Sequence, residues 1–319
     1  MPEILRPNKS NIERAARALM NGSLIGLPTE TVYGLAADAE NEKSVSLIYD
    51  MKQRPRNLPL IIHIGSRKLI NKWAIEIPDY VRELAEKFWP GPLTIILKKS
   101  ELAKNFVTSN QNSVALRVPR HNTALMLLNK FHELGGNGLA APSANRFTGV
   151  SPTTAEDVKK ELSSSPLNEL KFILDGGQCE IGIESTIVDC RSDKLRILRP
   201  GAIGISDLMK FNLSKDETVD NNILHFPGNS KKHYSPRAQI ILEGNTSPGD
   251  GFIAMSEVPT PVGAIRLLCA TTVEEYGKYL YSSFRKADLN GIERVIVVPP
   301  MGTGLADAIR NRISKSRGE

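Results

Sequence analysis

Cysteine is scarce. Cys179, Cys190 and Cys269 are three among 319 residues, an odd number with no C-x-x-C spacing and no histidine cluster beside them. That excludes a disulfide scaffold and argues against a cysteine-bound zinc. Aromatic residues make up only 6% of the chain, and no apolar run reaches the ~18 residues of a membrane-spanning helix. The opening stretch MPEILRPNKSNIERAARAL has no apolar heart of a secretory leader, so the expected address is cytoplasmic, with no membrane partner. The common nucleotide loops are missing too. No G-x-x-x-x-G-K-[ST] occurs, and Gly302-Thr303-Gly304 lacks the third glycine of a dinucleotide fingerprint. Any nucleotide must be held by another device.

What is present is ordinary for a globular protein: 40% hydrophobic and 24% charged residues. Lysine plus arginine exceed aspartate plus glutamate by 41 to 35, a formal charge of +6 and a pI near 9.1. That excess suits a polyanionic ligand, and a solvated surface explains it as well, so the placement of the cations decides. The length favours two domains over one. Apolar spacing predicts a first helix over 10–20 with Ser10 as its N-cap, then helices near 42–52, 79–88, 122–131 and 154–162. Between them, Leu24–Leu27, Leu60–Ile64, Leu93–Leu97, Val114–Val118, Phe172–Leu174 and Thr186–Val188 read as strands. The fold class is α/β with α+β character. A polar stretch over 209–236 reads as a linker between residues 1–208 and a smaller α/β unit over 237–319.

Several segments carry chemistry-bearing residues. Pro28-Thr29-Glu30-Thr31-Val32-Tyr33-Gly34 ends an apolar strand with hydroxyls and a carboxylate, as site-lining strand exits do; a hydroxyl-closed turn accounts for it equally. Lys52-Gln53-Arg54-Pro55-Arg56 sets three cations within five positions, where a point charge and rigid guanidinium forks together suit a triphosphate; a solvated basic turn is the alternative. His63 interrupts an aliphatic strand. Ser113 and Arg117 share one strand face, where the arginine can fork a carboxylate or close an edge salt bridge. Ala141-Pro142-Ser143-Ala144-Asn145 and Ser151-Pro152-Thr153-Thr154 set small residues, hydroxyls and an amide between a strand and a helix start. Glu184-Ser185-Thr186 and Leu198-Arg199-Pro200-Gly201 add a serine before one strand and a cation after the next.

Together and in order, PTETVYGLAADA, KQRPRNLPLIIHI, SVALRVPR, APSAN followed by SPTTA, ESTIVD and LRPG resemble the YrdC-like threonylcarbamoyl-AMP synthases in their long, two-domain form. The likeness runs over about residues 8–208 and resumes at PGNSKKHYSPR (227–237) and GTGLADAI (302–309). One departure stands out: Gly149 comes four residues after Asn145 rather than two or three, with Phe147-Thr148 before it. The resemblance implies a twisted mixed sheet forming a basic concave cleft, a small Rossmann-like C-terminal domain, and condensation of L-threonine, bicarbonate and ATP to threonylcarbamoyl-AMP and pyrophosphate, the first step toward threonylcarbamoyladenosine in tRNA. It implies Lys52 and Arg54 as catalytic cations, with Leu58, Ser113, Ser143, Asn145, Ser151, Arg199, Tyr234 and Arg237 as further ATP contacts. Thr31, His63, Arg117, Ala141 and Ser185 would hold threonine. Mg2+ would arrive bridged by the phosphates, a linker containing His233-Tyr234 would close over the cleft, and a threonylcarbamoyl-transferase would accept the product. The competing reading is a module that seats tRNA or double-stranded RNA in the same cleft. Scattered cations among hydroxyls, without stacking aromatics, fit a small ligand better.

Overall fold

The computed structural model of the chain describes residues 1–163, 169–214, 225–228, 232–242 and 244–317. The first strands and helices alternate: β1 (Glu3–Leu5), α1 (Lys9–Met20), β2 (Leu24–Leu27), β3 (Gly34–Asp38), α2 (Glu42–Lys52), β4 (Ile61–His63), α3 (Ile70–Trp73), α4 (Asp79–Phe88), β5 (Leu93–Lys98), α5 (Asn105–Thr108), β6 (Ser113–Arg117), α6 (Asn122–Glu133), β7 (Leu139–Ala140), α7 (Ala155–Leu162), β8 (Leu170–Leu174), β9 (Thr186–Asp189), β10 (Arg196–Arg199) and α8 (Ile205–Leu208). Their strands form one mixed sheet in the order β1-β8-β2-β3-β7-β4-β6-β5-β9-β10. The fold class expected from the sequence is the one found.

Four further strands, β11 (Gln239–Ile241), β12 (Gly251–Met255), β13 (Ile265–Ala270) and β14 (Arg294–Val297), make a separate parallel sheet in the order β11-β14-β12-β13. Helices α9 (Val273–Leu289) and α10 (Leu305–Arg317) accompany it. Part of the expected linker, 215–224 and 229–231, lies outside the described residues.

Local chemistry accounts for the differences from the sequence reading. The first helix starts one residue earlier than expected because Asn8, not Ser10, caps it, its Oδ1 accepting from the Asn11 amide at 2.9 Å. Its inner stripe is Ile12, Ala15, Ala16 and Leu19, and the two fully buried alanines let it lie close against α6. Strands β1 and β3 were not expected, and β7 and β10 were expected only as strands of unstated bounds, before Ala141 and before Arg199. The buried Gly-Leu-Ala-Ala run of β3 and the two residues of β7 have too little β-branched character to signal a strand, and they pair through the sheet around them. Helix α7 is capped by Thr154 in a reciprocal box with Asp157, so the Ser151 hydroxyl expected near this cap is free for another partner.

The topology gathers chain-distant segments. β4 and β6 run parallel with His63 opposite Arg117, and β5 lies between β6 and β9. The exit of β2, the loop after β7, the entry to β9 and the end of β10 meet at one side of this central group.

Candidate active site

A cavity of about 550 Å³, part of it open to solvent, lies where those segments meet. Thr29, Thr31, Arg54, His63, Arg117, Ala141, Ser143, Glu184, Ser185, Arg199, His233 and Tyr234 all face it.

One end is cationic. Lys52, Arg54 and Arg199 are 2%, 8% and 4% exposed, yet no carboxylate pairs with any of them among the described residues. Lys52 sits behind the wall and donates through Nζ to the carbonyls of Ser143 and Asn145, which fixes the loop after β7 and leaves one of its three N–H donors unassigned. Arg54 Nη2 donates to the Pro59 carbonyl at 3.0 Å. Arg199 donates from Nε to the Ser185 carbonyl at 3.0 Å, from Nη2 to the Ser185 hydroxyl at 3.1 Å and from Nη1 to the Pro227 carbonyl at 3.1 Å. Burial, followed by the neighbouring Arg54 charge, holds the Lys52 amine well below its usual range. Burial depresses Arg54 to about 10 and lowers Arg199 as well. Such crowding is unfavourable unless an anion joins it.

Arg199 owes its position to a close approach of backbone. A Cβ on Gly201 would lie 2.3 Å from the Thr186 nitrogen, so only glycine lets the Arg199-Pro200-Gly201 turn pass against Ser185-Thr186.

The other end is smaller. Arg117 donates from Nη1 to Thr31 Oγ1 at 2.8 Å and from Nε to the Gly91 carbonyl at 3.3 Å. Its Nη2 lies 2.8 Å from Glu30 Oε2, an ion pair by distance without the alignment of a hydrogen bond, so the guanidinium keeps N–H groups for a ligand carboxylate. Thr29 Oγ1 bonds the Val32 carbonyl at 2.6 Å and lies 2.9 Å from Thr31 Oγ1, so the segment is at once a closed turn and a wall of the cavity. Burial and then the Arg117 charge push His63 down to about 3, which keeps the imidazole neutral. Its Nδ1, with Asn145 Oδ1, Arg54 Nε and His233 Nδ1, is buried without a hydrogen-bond partner among the described residues, and such orphaned atoms are what a bound ligand satisfies.

The segment carrying His233 and Tyr234 closes the cavity. The His233 amide donates to the Lys315 carbonyl at 3.0 Å, the Ser235 amide to the Thr148 carbonyl at 2.9 Å, and the Ser235 hydroxyl to the Ser316 carbonyl at 2.9 Å. The His233 ring meets Phe147 edge-on at 6.1 Å. Phe147-Thr148 therefore form the seat of this cover, and Thr148 adopts φ 68° to do so.

Several expected residues lie elsewhere. Ser151 does not line the cavity; its hydroxyl donates to Glu184 Oε1 at 2.6 Å. Ser113, at the start of β6, is buried and Leu58 half-buried, and neither lines the cavity. Arg237 is exposed and held by Asp288, its Nη2 donating to that residue's carbonyl at 2.8 Å. Sequence reasoning overlooked Glu30 as the partner of Arg117, Glu184 as a wall carboxylate, and Arg312 behind it, whose place in a helix of mixed charges resembles that of a surface cation.

A family model described as "Telomere recombination" matches residues 17–201, and one described as "Threonylcarbamoyl-AMP synthase, C-terminal domain" matches residues 202–318. The chain belongs to the threonylcarbamoyl-AMP synthase family. The synthase of Pyrococcus abyssi is 35% identical, the alignment covering 96% of this chain and 94% of that one, and the synthase of Bacillus subtilis is 33% identical, covering 98% and 95%. The crystal structure of P. abyssi Sua5 complexed with L-threonine superposes with a TM-score of 0.87 at 31% identity, over 100% of this chain and 98% of that one. This is the two-domain form of the synthase family.

Proposed function

We propose that the chain condenses L-threonine, bicarbonate and ATP to threonylcarbamoyl-AMP and pyrophosphate, the first step of threonylcarbamoyladenosine formation in tRNA, and that residues 1–208 bind the substrates beneath a cover drawn from 209–236. The observation that carries this reading is the trio Lys52, Arg54 and Arg199, buried without carboxylate partners among the described residues, two on the wall of one cavity and Lys52 behind it. A polyphosphate supplies the missing negative charge, and the separate Arg117 end suits a small amino acid.

In this reading Arg117 forks the threonine carboxylate, while Thr31 and Ser185, with neutral His63, offer hydrogen bonds to its hydroxyl and amine beside Ala141. A hydroxyl-binding pocket rejects alanine and valine because they leave its buried polar groups unpaired. The threonine nitrogen joins the bicarbonate carbon with loss of water. A carbamate oxygen then attacks the α-phosphorus in line, and the bond to the departing pyrophosphate breaks. Such a transfer needs placement and charge neutralisation rather than a nucleophilic side chain. Arg54 and Arg199 lie on the wall to meet the phosphates, Lys52 holds the Ser143–Asn145 loop against the nucleotide, and the His233-Tyr234 cover keeps water from the mixed anhydride.

The wall does not fit a protein-held magnesium. Among the described residues no three His, Cys, Asp or Glu side chains converge, and Glu184, the one carboxylate facing the cavity, is already engaged by Ser151, Tyr281 and Arg312. The ion is assigned to the phosphates of the substrate.

The test is pyrophosphate release with ATP and bicarbonate, comparing L-threonine with L-serine and with no amino acid. Lys52→Ala and Arg54→Ala should each lower the L-threonine rate by ~10²-fold or more. Wild-type rates in either variant would contradict the assignment.

A further inference from the structure

The cavity is walled by the first domain and its cover, yet its cationic end leans on a residue of the second. Arg312, on α10, is fully buried and does not face the cavity. Its Nε donates to Glu184 Oε2 at 2.8 Å, and its Nη2 donates to the Pro200 carbonyl at 2.9 Å. The guanidinium also lies 5.2 Å from the centre of the Tyr234 ring. One side chain thus touches the wall carboxylate, the peptide that follows Arg199, and the cover.

Glu184 is the centre of this set. Its Oε1 accepts from Ser151 Oγ and its Oε2 from the Tyr281 hydroxyl at 3.0 Å, a second contribution from the C-terminal domain. The next residue, Ser185, receives two hydrogen bonds from Arg199. Burial alone would raise the Glu184 carboxyl, but the Arg312 and Arg199 charges, with the Ser151 and Arg312 hydrogen bonds, bring it below its usual range. It is therefore a full negative charge on the wall of a site suited to polyphosphate.

We propose that Arg312 is a positioning residue for the nucleotide end: it neutralises Glu184, so that this carboxylate neither consumes the charge of Arg199 nor repels phosphate, and it fixes the Arg199-Pro200 turn. A buried ion pair is weak grounds for stability, since apolar replacements often serve as well, whereas the directed fork of Arg312 reaches two groups that face or flank the cavity. This rests on the assignment of Arg199 to the phosphates made above.

The test uses the full-length protein and steady-state pyrophosphate release, with ATP and L-threonine varied separately, for Arg312→Met, Glu184→Gln, the double variant and Arg199→Ala. Arg312→Met should raise KM for ATP by ~10-fold or more while KM for L-threonine at saturating ATP stays within ~3-fold, because the stranded carboxylate opposes phosphate alone. Adding Glu184→Gln should restore at least ~5-fold of the lost ATP affinity, which general loosening of the fold would not do. A folded Arg312→Met protein with unchanged KM for ATP, or with ATP and threonine parameters worsening in proportion, overturns the proposal. Should Arg312→Met fail to fold, Arg312→Lys keeps the charge and loses the fork; a KM for ATP raised about 3-fold or more supports the proposal, and an unaltered one refutes it. If Arg199→Ala leaves KM for ATP unchanged, the phosphate assignment itself fails; if it raises KM while the Arg312 variants do not, only the present inference falls.

Discussion

Acid should open the cover over the cavity, through His233. Its ring is buried against Phe147 and Tyr234, and the charges that face it are Glu184, Arg54, Lys52 and Arg199. Burial, against the pull of Glu184 and with the push of the three cations, holds it at about 3, compared with 6.5 in solvent. The covered state therefore binds fewer protons than the open one between those values, so closure is fully favoured above pH 6.5 and weakens as pH falls toward 3. At pH 5 the gap of 1.5 units below 6.5 favours opening by about 30-fold, or about 2 kcal/mol. Lys315, depressed by burial to about 8 and bonded to the Gly228 carbonyl, adds only about a factor of two between pH 8 and pH 5. The assay is hydrogen exchange at the His233 and Ser235 amides, each bonded across the cover, with protection factors corrected for intrinsic chemistry. Protection should fall by ~30- to 60-fold from pH 8 to pH 5, and by only about 2-fold in His233→Gln. Equal protection at both pH values in the wild type, or the same loss in His233→Gln, would refute the reasoning. Saturating ATP should blunt the effect, since its negative charge favours the protonated ring.

Other outcomes follow from the same geometry. Gly201→Ala should lower kcat/KM by ~10-fold or more, because its Cβ would lie 2.3 Å from the Thr186 nitrogen and displace the Arg199 turn; steady-state pyrophosphate release checks it. Arg117→Lys should raise KM for L-threonine by ~10-fold or more while changing KM for ATP far less, as expected when a planar fork becomes a point charge. Tripolyphosphate at 100 times its Kd should stabilise the protein by about 2.7 kcal/mol in thermal melts, and less at high salt. Leu19→Ala, at a fully buried position of α1, should cost about 2–5 kcal/mol in denaturant unfolding without altering KM for either substrate.

The long amphipathic helices and aliphatic strands were legible because their burial repeats at 3.6 or 2 residues, as α4 with Val81, Leu84 and Ala85 facing inward illustrates. β3 was not, and β7 only as a strand of unstated bounds before Ala141, since short Gly- and Ala-rich segments become strands only through neighbours already in place. The contents of the site were similarly divided. Thr31, Arg54, His63, Arg117, Ser143, Ser185 and Arg199 belong to compact motifs, and all seven face one cavity. Glu30 was visible as a residue, but its pairing with Arg117, 87 positions away, depends on the sheet order. Arg312 falls at helical spacing on the buried face of α10, beside Ala308, Ile309, Ile313 and Ser316, but its pairing with Glu184, 128 positions away, depends on the docking of the second domain.

A cluster of cations without carboxylate partners among the described residues attracts whichever polyanion is nearest, and the proposed reaction leaves one behind. In the proposed reaction pyrophosphate would keep two of the three phosphoryl groups assigned to Arg54 and Arg199, so the pocket proposed to recruit ATP would also retain the leaving group. Turnover would then be paced by product departure, added pyrophosphate would compete with ATP, and in its excess the adenylate would be driven back to ATP. A pyrophosphatase in the same compartment, by draining this product, would set the direction in which the enzyme runs.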